Sequence, residues 1–142
     1  MSDAPALVFD LIFGRWRSQT LYAGAALGVF DQLSDQPTTA ATVAEIVHAD
    51  PAMLYRLMRA LGSIGLLIEN DEKAFLLTEA GALLREDHPH SLRATALLEE
   101  GPEHYVLWSI SSIWCAMVTK TASCASSTPW GLTMRATIPA TA

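Results

Sequence analysis

Few side chains of this chain stand at spacings that do chemistry. His88 and His90 flank Pro89 and offer two imidazole nitrogens to one metal ion, but no further histidine or cysteine lies near them, and a closed zinc site takes four ligands. The pair reads as a solvent-facing linker. His104 follows Glu103 and has the chemistry of a general base; its place at a helix start makes a structural role the simpler reading. Cys115 and Cys124 are the only cysteines, too few for a disulfide framework or a zinc ligand set, and are read as reduced. Arg56 and Arg59 share one helix and would face a phosphate backbone if that helix entered a DNA groove. Phe13, Trp16 and Tyr22 form an aromatic group suited to packing. No Ser-His-Asp or Cys-His constellation and no phosphate-binding glycine loop is present, so the sequence offers no catalytic, cofactor or metal residue.

The elements that position these residues follow from periodicity. Ala6 to Leu33 is helical in two pieces, its apolar stripe running through Leu7, Val8, Leu11, Ile12, Leu21, Tyr22, Ala25, Ala26, Val29, Phe30 and Leu33. Gly24 and Gly28 lie four apart on it, a spacing that lets another helix approach closely. Ser34 to Ala41 is a polar connection. Thr42 and Glu45 are spaced as a capping box for a short helix, and Asp50-Pro51 opens the next one, since aspartate accepts free N–H groups and proline fits the first turn. That helix carries Met53, Leu54, Leu57, Met58 and Leu61 inward and exits at Gly65. Leu66 to Ile68 and Ala74 to Leu77 are two strands about an Asn70-Asp71-Glu72 turn, and Thr78 caps a further helix to Leu84. Two more helices, Leu92 to Glu100 and Tyr105 to Val118, are divided by Gly101-Pro102. Helix, β-ribbon and helix in this order predict a winged helix, a fold used both to grip DNA and to pair subunits.

Composition narrows that choice. Of the 142 residues 51% are apolar and 17% charged, the mix of a folded chain that hides helices on several sides. All fifteen acidic residues lie at or before Glu103, against seven basic groups in the same span. Such a module repels phosphate backbones, and Glu69, Asp71 and Glu72 crowd the wing where a DNA binder wants lysine or arginine. No apolar run reaches the roughly 20 residues that cross a bilayer. The N-terminus carries Asp3 and Asp10 and no basic segment, so a cytoplasmic home is expected.

Four segments carry a family resemblance: YAGAALGVFDQL (22–33), TVAEIV (42–47), DPAMLYRLMRALGSIGLLIE (50–69) and FLLTEAGALLRED (75–87). Their order and spacing, with Leu-x-Arg-Leu-x-Arg-Ala-Leu at Leu54 to Leu61 and Leu-Thr-x-x-Gly at Leu77 to Gly81, resemble the N-terminal dimerisation domain of S-adenosylmethionine-dependent O-methyltransferases acting on small molecules. The likeness covers roughly residues 7 to 114. It implies a mainly α domain, a winged helix-turn-helix core with a two-stranded β wing and extra N-terminal helices that intertwine with a second subunit. It also implies a homodimer, an acceptor pocket to which Phe13 and Trp16 contribute, and an interface drawing on Leu11, Ile12, Leu21, Tyr22, Ala25 and Val29.

The expected organisation is then a dimerisation domain over residues 1–118, with its winged-helix core at about 36–84, and an irregular tail over 119–142. The Rossmann-like domain that would hold S-adenosylmethionine in the family has no counterpart here. The last thirty-eight residues contain no acid and fit nothing in the family, so the chain is expected to be a truncated or frame-shifted product, inactive alone. The expected function is dimerisation and substrate-pocket scaffolding for a phenolic or polyketide-like acceptor, with no cofactor, nucleic acid or membrane bound by this chain. A winged-helix transcription regulator is the alternative.

Overall fold

A computed structural model describes residues 3–110. The tail at 119–142, Cys115, Cys124 and the expected helix beyond residue 110 lie outside the described residues. The chain divides after Val106 into two units, and the winged helix lies wholly in the first, Met1–Val106.

The first helix, α1, spans Ala4–Ala26 without a break. Pro5 sits in its opening turn, where a missing N–H costs nothing. The division expected before Leu33 falls at Gly28, whose φ of 70° turns the chain into a single 3-10 turn, Val29–Gln32. The two glycines therefore do different work. Gly28 is a left-handed exit, and Gly24 is a point of close approach, where a Cβ would stand 2.9 Å from Leu61 Cδ1 and 3.1 Å from Phe30 Cε2. The helix that packs against Gly24 belongs to this chain itself.

Next come β1 (Thr38–Thr39), α2 (Ala40–Val47) and α3 (Pro51–Ser63). The cap of α2 is Thr39, whose hydroxyl accepts from Thr42 N–H, and not Thr42 as the capping-box spacing predicts. Thr42 instead lies one turn inside, its hydroxyl 3.0 Å from that of Thr39. At α3 the sequence signal holds: Asp50 Oδ1 accepts from Met53 N–H at 2.9 Å, and Gly65 exits at φ 82°.

Strands β2 (Leu67–Glu69) and β3 (Ala74–Leu77) form the wing, and β1 adds to the far side of β3, giving an antiparallel sheet in the order β1-β3-β2. Thr38 pairs with Phe75 and Leu67 with Leu77. Thr78 then joins the sheet to α4 (Glu79–Ala82): its oxygen accepts from Gly81 N–H while its hydroxyl faces the Gly65 and Leu66 carbonyls at 2.8 and 3.0 Å. A Cβ on Gly81 would run into the Leu66 carbonyl oxygen, which gives the Leu-Thr-x-x-Gly pattern a physical cause. Helices α5 (Arg93–Glu99) and α6 (Pro102–Ser109) follow, α6 starting at Pro102, earlier than periodicity indicates.

The core is apolar throughout. Val29, Phe30, Leu33, Val43, Leu54, Met58, Leu61 and Phe75 are fully enclosed, and no polar or charged side chain is buried among the described residues. Each such side chain stabilises the fold by roughly 1.5–3 kcal/mol. The winged helix is thus held by α2, α3, β3 and the end of α1, which leaves the start of α1 outside.

Candidate functional site

That outlying stretch is the most exposed apolar surface described. Leu7, Val8, Phe9, Leu11, Ile12, Phe13 and Trp16 face solvent, Leu11 at 71% and Trp16 at 61% of full exposure. They cover more than one side of the helix, and a helix apolar all round is stable in water only when something covers it. Phe9, Phe13 and Trp16 form a ladder of rings, with centroids 6.2 and 4.8 Å apart. Asp10 and Arg17 pair beside it, and that guanidinium holds the Asp10 carboxyl below its usual range, first through their hydrogen bond.

The residues expected at an interface divide in two. Leu11 and Ile12 are exposed, and Leu21 and Tyr22 are half-buried. Ala25 and Val29 are fully buried in the chain's own core and are not part of the exposed surface. The apolar stripe changes duty along its length: its first half faces outward and its second half enters the chain's own core. Phe13 and Trp16, the expected pocket residues, both lie on the exposed half.

The recognition-helix arginines also part company. Arg59 Nε lies 3.2 Å from Glu69 Oε2 on the wing, and its guanidinium stands 6.0 Å over the Tyr55 ring. Tyr55 donates to Glu69 Oε1 at 2.6 Å and meets Phe75 edge-on. Glu69 thereby raises the Tyr55 phenol above its ordinary range, chiefly through this hydrogen bond. Arg56 is exposed. One of the two cations that could have met DNA is therefore bound to an acid of the wing.

Sequence reasoning missed a second polar cluster. Arg93 donates to Glu86 at 2.7 Å and to the Ala25 carbonyl at 3.3 Å, and stands 3.7 Å from Asp31, whose other oxygen accepts from Glu86 N–H. Arg85 grips both oxygens of Asp87, lowering that carboxyl, and donates to the Leu33 carbonyl. These groups tie the end of α1 to the loop before α5. They lie up to 68 positions apart on different elements, so nothing local signals them. Each charge in the cluster has an opposite partner, which suits a brace better than a binding site.

The histidines are similarly occupied. His88 Nδ1 accepts from His90 N–H within their turn, and His104 Nδ1 lies 3.1 Å from Glu99. No group of three potential metal ligands occurs among the described residues. S-adenosylmethionine does not fit here either. Its usual cradle is a glycine-rich turn between a parallel strand and a helix, whereas among the described residues the sheet is antiparallel, and Gly24, Gly28, Gly65 and Gly81 serve packing and turns of the fold. What the surface can do is associate.

Fold and surface together define a winged-helix module built to pair subunits. A model of the O-methyltransferase dimerisation domain matches residues 9–87, and the chain belongs to that family. It is 34% identical over 104 residues to a phenazine O-methyltransferase of Lysobacter antibioticus, covering 73% of this chain and 30% of that protein. It is 40% identical over 83 residues to an 8-amino-8-demethylriboflavin N,N-dimethyltransferase of Streptomyces davaonensis, covering 58% and 24%. Among solved structures it resembles CalO1, a methyltransferase in calicheamicin biosynthesis in its SAH-bound form, with a TM-score of 0.66 and 30% identity over 83% of this chain and 35% of that one. The chain therefore spans about a third of these relatives or less.

Proposed function

We propose that this chain pairs with a second copy of itself through the exposed half of α1, and that the pair scaffolds the acceptor pocket of a small-molecule methyltransferase that uses S-adenosylmethionine. The single observation that carries the reading is the uncovered apolar surface from Leu7 to Trp16 in a chain of the dimerisation family. Leu11 and Ile12 supply the contact, while Phe13 and Trp16 offer aromatic faces to a planar acceptor. The relatives support the substrate class, since the names of two of them specify phenazine and demethylriboflavin chemistry. Chemistry on the acceptor is assigned to a cofactor-binding domain of the kind these longer relatives contain, and this module alone is inactive.

Sedimentation equilibrium tests the pairing. The chain should sediment as a dimer, and the double variant Leu11→Asp with Ile12→Asp should sediment as a monomer that keeps the cooperative unfolding transition of the winged-helix core, because both positions lie outside that core. A wild-type monomer, or a dimer that survives both aspartates, overturns the reading.

A further inference from the structure

The first four turns of α1 touch little but solvent. Every residue from Ala4 to Arg17 except Gly14 is exposed, and the helix is buried only at Gly24 and Ala25. A free helix of that length, about 21 Å at 1.5 Å per residue, is marginal in water because its nucleus is unfavourable. Local support is thin. Asp3 makes no side-chain cap, and the first turn holds no acid to meet the helix dipole. The Asp10–Arg17 pair is exposed on both sides and screened. Val8, Ile12, Phe9, Phe13 and Trp16 are all of types that lose side-chain freedom in a helix.

Gly14 stands in the middle of this arm, and after proline glycine is the residue least suited to a helix interior. Packing within the chain does not demand it. A Cβ at Gly14 would meet nothing nearer than an Arg17 guanidinium nitrogen at 4.0 Å, in contrast to the tight contacts at Gly24.

We infer that residues 4–17 of α1 become a stable helix only when a second copy covers them, so that ordering the arm and pairing the subunits are one equilibrium, with Gly14 weakening it. The inference rests on the pairing proposed above. It makes association respond to concentration and to small changes in arm propensity, because the ordering cost is met at the moment of binding.

Far-ultraviolet circular dichroism and sedimentation equilibrium, followed over one dilution series, test it together. Helicity should fall as the dimer dissociates. Gly14→Ala should raise the helicity of the dilute monomer and tighten pairing about fivefold per arm, hence ~25-fold in Kd because two arms order. Helicity that stays level through dissociation overturns the inference. Amide exchange gives a second measurement free of any steric effect of the substitution: in the monomeric Leu11→Asp, Ile12→Asp variant, amides 8–17 should exchange at unprotected rates. Protection there overturns the coupling while leaving pairing intact. A wild-type chain monomeric at every concentration removes the pairing, and the inference with it.

Discussion

Tyr55 shows how one side chain restricts the trade of a whole fold. Its hydroxyl binds Glu69 and its ring lies under Arg59, so the helix that would read DNA is tied to an acidic wing. The bond to the carboxylate raises the phenol, and partial burial and the Glu69 charge add to it against the opposing charge of Arg59. A pKa higher in the folded than in the unfolded chain means a contribution complete below the ordinary tyrosine range near ~10, and lost as pH rises through the folded value. Glu69→Ala should therefore bring the Tyr55 phenolate transition, followed by ultraviolet absorbance, down toward the ordinary tyrosine range. It should also flatten the alkaline fall in stability. An unchanged transition would show that the bond does not form in solution.

At the scale of elements, the start of α2 separates what pattern reveals from what it conceals. Thr42 and Glu45 have capping-box spacing, yet Thr39 is the cap, because β1 pairs Thr38 and Thr39 with β3 and delivers the chain to the helix three residues earlier. A two-residue strand has no period of its own. It exists through a partner 35 or more residues away, and no local window contains that partner. Asp50-Pro51, Gly65 and Thr78 are legible because each works within a few residues of itself. The candidate site divides the same way. Periodicity marks Leu11, Ile12, Ala25 and Val29 as one stripe, but only three-dimensional packing shows that the chain's own core encloses the last two and leaves the first two bare. The cap assignment has a direct check by denaturant unfolding at one fixed protein concentration. Thr39→Ala should cost about 1 kcal/mol, as lost caps do, and Thr42→Ala only a few tenths. The reverse order would restore the capping box.

For the whole molecule, the division of labour within the family sets what this chain can do alone. The same kind of module occurs in a relative named for O-methylation and in one named for N,N-dimethylation, so membership of the family does not by itself name the acceptor atom. The described residues hold no cofactor cradle of the usual kind: their sheet is antiparallel and small, and its turn glycines already serve the fold. Every residue of the Arg85, Asp87, Arg93, Asp31 and Glu86 cluster is likewise matched to an opposite charge. Calorimetric titration of the 142-residue chain with S-adenosylhomocysteine should accordingly show no saturable heat, at protein concentrations where the dimer is fully formed. The dimer must be present for the result to carry weight, since a pocket shared between subunits would open only there. Saturable binding under those conditions would overturn the assignment of the cofactor to another domain.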